Sequence, residues 1–558
     1  MCVSPSTIFL RRHSLPGHDA FCIAVPYFTK KEEKMEQFDS LINQSQIISV
    51  LNKMLLYVDQ RLVHHGERVA FIVSEMLRHT DRSYSVPGEQ LFILSLLHDV
   101  GAYKTAEIDE MISFESRNVW DHSIYGYLFL KFMSPLEDAA ESILYHHLNY
   151  EDYGRVKSRY LDCSALIYLA DRIDILVANC GDDCSLEPIQ QHRGSWFCPE
   201  TVDLFMASNP QEIIRQLRSG EYHMPVEQVV HQLPLSMEDA FRYLRMMVYS
   251  VDFRSEYTVT HTMNTTAISL ELGKRMGLSE EELAKLYLGA MIHDIGKIAI
   301  STEILEFQGR LSTEQMEIMK QHVVYTQRII EGLVDPEICR IASRHHEKLD
   351  GSGYPEGLRE ADLSLPEQIA AVADIISALS SKRSYKEAYS RQRTLDILAE
   401  MQEHGLLNQK ACAIMINNYD EIMRITDVSR DPIIRLYEQM HAEYISLHQT
   451  ARILLLSQPQ AGHPPVCTGN TTKLNLQKIS NAGASQMLRH FILRQRAFSP
   501  SIAVPAALHF AAGLGAAWGR PVPPPPDAPA PRAPGWSGPP FRPQSGCHPP
   551  APRPAHQR

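Results

Sequence analysis

The 558-residue chain has no uninterrupted apolar run of the length a membrane span needs. The nearest stretch, Ser501 to Gly519, is broken by Pro505 and His509, whereas a spanning helix takes about 20 apolar residues. Basic charge is in deficit: 54 Lys and Arg stand against 66 Asp and Glu, a net charge of −12. That argues against a broad surface for long nucleic acid, which needs a basic face, but a small phosphate ligand can be held by metals and a few local cations. Cysteine is sparse and irregular, 10 residues without a repeating interval, so a disulfide framework is not expected and a reducing compartment is. Cys180, Cys184 and Cys198 are unevenly spaced and lack a fourth ligand, and read as thiols rather than a zinc cluster. The N-terminus lacks the basic, apolar and small-residue zones of a signal peptide, and the expected location is cytoplasmic. Strand-like alternation is hard to find anywhere.

What the chain does have is helical periodicity. A hydrophobic content of 44% and a charged content of 22% suit a globular protein. From about residue 40 to 450, apolar residues recur at steps of three and four, as in Val69, Ile72, Val73, Met76 and Leu77. Gly277 before Ser279 and its three Glu reads as a helix stop and a new N-cap, and Ser312 opens another helix. The expected fold is all-α: two tandem helical bundles between a non-periodic arm (residues 1–40) and a disordered tail (457–558). From Pro500 the tail holds 17 of the chain's 34 Pro, with Asp527 its only acid, a composition unable to bury a core. The expected domains are 41–230 and 240–450.

Within these two regions one ordered set of His and Asp occurs twice, about 195 residues apart. The first is His65, His98-Asp99, His122, His146-His147 and Asp171; the second is His261, His293-Asp294, His322, His345-His346 and Asp374. Successive intervals are 33, 24, 24 and 24 residues in the first copy and 32, 29, 23 and 28 in the second. Isolated pairs such as His18-Asp19, or His64 beside His65, carry no weight in a chain with 25 His. Agreement of a whole series marks a duplicated unit. Imidazoles and carboxylates suit divalent first-row metals such as iron or manganese, and a pair of such ions activates water against phosphorus. The ligands are expected on separate helices facing one core, the His-His pairs and last Asp included.

The residues around the second set extend the pattern. They include Tyr257-Thr258, His293-Asp294-Ile295-Gly296-Lys297, His345-His346-Glu347, Gly351-Ser352-Gly353-Tyr354-Pro355, Val372-Ala373-Asp374-Ile375, Arg383, Tyr385 and Lys386. From about 245 to 450 the chain resembles the HD-GYP phosphodiesterases of the HD-domain metal-dependent phosphohydrolases. The resemblance implies an all-helical fold and hydrolysis of cyclic di-GMP to pGpG, and for some members to GMP. It implies one metal on His261, His293 and Asp374, a second on His322, His345 and His346, and Asp294 bridging them. Asp294 and Lys297 are then the catalytic pair, and Lys297, Gly353, Tyr354, Pro355, Arg383 and Lys386 face the substrate. Tyr257 stands where some members place a third-metal Glu, which favours two ions. Ile376-Ser377 and Ser384 depart from the family's usual Phe-Asp and Pro, and leave mixed cyclic GMP-AMP open as substrate.

The first copy keeps its seven metal-ligand residues and thus a possible second metal pair, but Ala102 replaces Lys297 and Leu148 replaces Glu347. Asn149-Tyr150-Glu151-Asp152-Tyr153-Gly154 stands in place of the Gly-Tyr-Pro turn, and Cys180 and Asp183 in place of Arg383 and Lys386. A regulatory or scaffolding first repeat is expected, against a second active site with another substrate. Two competing readings of the whole are a general HD nucleotide phosphohydrolase and a sensor that binds cyclic dinucleotide without turnover. A homodimer or a signalling-protein partner is compatible with either.

Overall fold

The periodic apolar positions close into helices that bury them. Val69, Ile72, Val73 and Met76 form the inner face of helix His65–Leu77. In the second half Ser279 caps helix Glu280–Ile292 by accepting from Glu282 N, and Ser312 caps Thr313–Ile330 by accepting from Gln315 N. Gly277, at φ 84°, ends helix His261–Met276 in the left-handed conformation that glycine adopts without steric cost. The chain is described by a computed structural model over residues 41–456, apart from 43, 58–62, 105–119, 181–183, 254–259, 308 and 382–387. The arm at 1–40, the tail at 457–558, Tyr257, Arg383 and Lys386 lie outside the described residues. Among those residues the fold is all-α, with isolated β-bridges but no strand.

The two repeats share an order of five helices. His65–Leu77, Gly88–Leu96, Asp121–Met133, Glu141–Leu144 and Leu161–Asn179 make the first. Their counterparts are His261–Met276, Glu280–Ile292, Thr313–Ile330, Pro336–Ser343 and Leu365–Ser380. In both, a 3-10 turn follows the His-Asp pair, at Val100–Lys104 and Ile295–Ala299. The first repeat then runs through four helices ending with His223–Gln232, and Met237–Asp252 leads into the second. The second adds Arg391–Glu403, Gln409–Asn417 and the 38-residue helix Tyr419–Leu456.

One apolar core runs through both repeats. It joins Phe71, Leu94, Phe129 and Leu166 to Met246 and Tyr249 of Met237–Asp252, and onward to Leu288, Ile298 and Ile329. A separate cluster in the second repeat packs Ile268, Leu272, Ile369 and Val372 against Leu398 and Met415. The long last helix returns to the first repeat. Tyr444 stacks on Tyr125 at 4.5 Å and its hydroxyl donates to Asp121 at 2.9 Å, while Glu443 accepts from Tyr127 at 2.8 Å and Lys131 at 2.5 Å.

Two sequence expectations are corrected here. Cys180 and Cys184 form a disulfide, with Cα atoms 5.4 Å apart, where the irregular spacing suggests thiols; helix Leu161–Asn179 ends immediately before Cys180. Cys163, Cys198, Cys339 and Cys412 are free. The His-His pairs stand just beyond helices Glu141–Leu144 and Pro336–Ser343 rather than on them. A helix end leaves carbonyls without internal partners, and the first His of each pair takes one. His146 Nδ1 donates to Ile143 O at 2.6 Å and His345 Nδ1 to Ala342 O at 2.8 Å.

Candidate active site

Each repeat gathers its seven residues from five places in the fold. In the second, His261 opens one helix, His293-Asp294 closes the next, His322 lies mid-helix in Thr313–Ile330, His345-His346 follows Pro336–Ser343, and Asp374 comes from Leu365–Ser380. Gly296 allows this convergence, because a Cβ there would sit 2.0 Å from His322 O and 2.4 Å from Thr326 N. Gly101 meets His122 O at 1.9 Å in the same way. Only glycine lets the turn after His-Asp press against the helix bearing the lone His.

The two oxygens of Asp294 face different groups. Oδ2 is 3.3 Å from His261 Nε2 and 3.2 Å from His293 Nε2; Oδ1 is 3.5 Å from His322 Nε2 and 4.0 Å from His345 Nε2. Asp374 closes the set, Oδ1 lying 3.1 Å from His261 Nε2 and Oδ2 3.5 Å from His346 Nδ1. The first repeat has the same plan. Asp99 Oδ2 is 3.6 and 3.4 Å from His65 and His98, Oδ1 is 3.7 and 3.9 Å from His122 and His146, and Asp171 reaches His65 at 3.3 Å and His147 at 3.7 Å.

The donor set fits a pair of divalent ions in each repeat. His98, His146, His293, His322 and His345 turn Nδ1 to a carbonyl three residues back, which directs the Nε2 lone pair inward. Asp99 Oδ1 and Asp294 Oδ1 are buried and accept no hydrogen bond, as carboxylate oxygens built to meet a cation do. Burial, with neighbouring imidazoles, lowers His345 and His146 to about 3, and burial lowers His322 to about 4. These three rings are therefore neutral and able to ligate at physiological pH. Burial opposes ionisation of Asp294 and Asp374 too, but His293 and Lys297 beside Asp294, and the hydrogen bond from His261 to Asp374, hold both well below the usual carboxylate range.

The repeats diverge around this shared plan. In the second, Ser377 Oγ accepts from His261 Nδ1 at 2.9 Å and donates to His261 O at 3.0 Å. In the first, a buried carboxylate takes that place: Asp174 Oδ2 accepts from His65 Nδ1 at 2.7 Å, and Arg68 grips Asp174 at 2.6 and 3.0 Å. Burial would lower His65, but Asp171 and Asp174 raise it to about 10. Arg172, almost fully buried, donates to Asp171 Oδ2 at 2.8 Å, where the second repeat has Ile375. Both guanidinium groups near the first centre are thus committed to protein carboxylates. Sequence reasoning missed Arg68, Arg172 and Asp174; the available signal was position, since Arg68 and Asp174 each lie one helical turn beyond a ligand.

A structured loop follows the second His-His pair. Glu347, buried, accepts backbone N–H bonds from Glu356, Gly357 and Leu358 at 2.7, 3.1 and 3.0 Å. Gly353 lies so close to Glu347 that a Cβ would stand 2.4 Å from its Cα. Tyr354, joined to Pro355 by a cis peptide, packs its ring 4.8 Å from His346. Lys297 pairs with Asp294 at 2.5 Å. Lys348, another residue sequence reasoning missed, is lowered to about 8 by burial, with Asp374 and Asp350 opposing. Leu148, buried in the first repeat at the position of Glu347, offers no acceptor for such a loop.

Family models described as HD domain match residues 62–176 and 244–409. The 3'3'-cGAMP-specific phosphodiesterase 1 of Vibrio cholerae serotype O1 is 27% identical over 69% of this chain and 94% of its own length. The 3'3'-cGAMP-specific phosphodiesterase 3 of the same organism is 31% identical over 42% of this chain and 53% of its own. A cyclic di-GMP phosphodiesterase of Thermotoga maritima is 38% identical over 26% of this chain and 40% of its own. With two His-Asp centres and one Gly-Tyr-Pro loop, the chain belongs to the HD-GYP phosphodiesterases, as a tandem of two HD domains.

Proposed function

We propose that the second repeat hydrolyses a cyclic dinucleotide and that the first regulates it. The reading rests on one asymmetry: both repeats can hold metal, but only the second adds a loop anchored by Glu347 that sets Tyr354 beside His346. His261, His293 and Asp374 would hold one ion, His322, His345 and His346 the other, and Asp294 would touch both. Iron or manganese bound there would polarise phosphoryl oxygens and lower the pKa of water. The chain's own residues bind and orient the dinucleotide. Lys297 and Lys348 supply positive charge for a phosphate, and the Tyr354 ring supplies a flat apolar face for a base. Carbonyl partners at Nδ1 leave the inward Nε2 atoms of His322 and His345 free of protons.

Two substrates are in contention. Gly353-Tyr354-Pro355 and the family resemblance support cyclic di-GMP. Mixed 3'3'-cGAMP is favoured by the relative matched over nearly its whole length and by Ser377 standing in place of the family's usual Asp. The deciding assay compares kcat/KM for both dinucleotides on anaerobically metal-loaded protein, with Asp99→Ala and Asp294→Ala variants. Asp294→Ala is expected to abolish turnover and Asp99→Ala to leave it measurable. Loss of turnover in Asp99→Ala alone would reverse the roles of the repeats, and signalling without turnover would leave a sensor.

A further inference from the structure

His64 belongs to neither ligand set, yet it holds the stranger conformation of the His64-His65 pair. Its φ of 60° is left-handed, a region non-glycine residues seldom occupy, though His is enriched there among them. It precedes helix His65–Leu77 without capping any of that helix's backbone N–H groups through its side chain. The imidazole is turned instead to Glu67, whose Oε2 lies 2.9 Å from His64 Nδ1. A second imidazole reaches the same oxygen from far along the chain. His223 opens helix His223–Gln232 and brings its Nδ1 to Glu67 Oε2, also at 2.9 Å. The two rings stand edge to face with centroids 4.6 Å apart.

From this geometry we propose that His64, Glu67 and His223 form a third metal site, for a borderline divalent ion such as Zn2+. Two imidazoles and one carboxylate, all within 4.8 Å of one another, are a recurring three-ligand set for zinc with a position left for water. Zn–N and Zn–O bonds of about 2.0–2.1 Å put tetrahedral ligands roughly 3.3 Å apart, so the observed 2.9 Å contacts need only a small expansion. The site opens to solvent, with the His223 side chain 42% exposed and Glu67 13%, so an ion can enter. The strain at His64 is consistent with a residue held for its ligand atom rather than for the helix cap.

The placement gives such an ion a structural consequence. It ties the start of the last first-repeat helix to the first turn of the helix whose leading residue is His65. Tyr222, immediately before His223, interacts with Arg68, which holds Asp174 against His65. An ion at the surface would therefore brace the groups that orient a ligand of the first centre.

The test is the Zn2+ content of full-length protein, stripped with chelator and re-equilibrated at limiting free Zn2+, measured by dialysis and elemental analysis. Wild type should retain one ion per chain more than His223→Gln or Glu67→Gln, with unchanged circular dichroism. His64→Asn, which tolerates the left-handed backbone, should match them. Cobalt substitution should add a visible band in wild type that these variants lack. Equal stoichiometry and equal cobalt spectra in wild type and all three variants would overturn the proposal and leave a hydrogen-bonded His-Glu-His cluster.

Discussion

Glu347 shows how one carboxylate separates two repeats of the same fold. Its three backbone hydrogen bonds hold residues 356–358, and each charge-assisted bond is worth about 1.5–3 kcal/mol. Glu347→Leu, copying Leu148, should release the loop, raise KM for the dinucleotide at least about tenfold on that basis, and lower the melting temperature, while metal content stays near wild type. A parallel exchange probes the outer partners of the leading histidines. Ser377→Asp should tighten metal binding at the second centre and Asp174→Ser weaken it at the first, each by about 10–100-fold, as read by metal titration. The ligand residues themselves were legible in sequence because duplication exposed them. Arg68 and Asp174 offered only their one-turn spacing from His65 and Asp171, and Arg172 not even that, so a linear reading does not set them apart from side chains in water.

Helix ends do much of the positioning. The first residues of His65–Leu77 and His261–Met276, and the His-His pairs that follow one residue past Glu141–Leu144 and Pro336–Ser343, are all metal-type ligands. The caps at Ser279 and Ser312 were readable because capping chemistry is local. The His-His pairs were misplaced because their carbonyl partners at the helix ends, Ile143 and Ala342, carry no side-chain signature. Burial holds the rings neutral, with the Ile143 carbonyl opposing it at His146, which fixes a sign. For His146, His322 and His345 the folded values lie near 3–4, below about 6.5 for an unfolded His. The unfolded state then takes up more protons as pH falls from about 6.5 to 4, and stability falls with it. Asp252, raised to about 7 by burial, opposes this trend with a single group. Metal-free protein should accordingly lose melting temperature across that window; a flat profile would contradict the neutral cluster. In the same elements, Gly296→Ala should disrupt the second centre, because its new methyl meets backbone at 2.0 Å.

At the scale of the molecule, the helix Tyr419–Leu456 closes a link that no sequence pattern announced. Tyr444 and Glu443 meet Asp121, Tyr125, Tyr127 and Lys131 on the helix that carries His122. Partly exposed ion pairs contribute little, so Glu443→Ala should cost less than about 1 kcal/mol. Tyr444→Ala also loses a ring stack worth about 0.5–1.5 kcal/mol beyond its buried area and should destabilise more, as denaturant titration would show. Contacts between residues more than 300 positions apart leave no trace in periodicity or spacing.

The apolar core that passes from Phe71 through Met246 to Ile329 predicts one melting transition for the two repeats rather than two, as calorimetry would show. An ion bound at about 100 times its dissociation constant stabilises the state that binds it by about 2.7 kcal/mol. Within a shared core that gain would be distributed: an ion filling the first centre would make opening the second rarer, with no ligand passing between them. On the proposed reading, the repeat without the Gly-Tyr-Pro loop would act as ballast for the other, and the supply of metal to one half would set how long the other half stays closed.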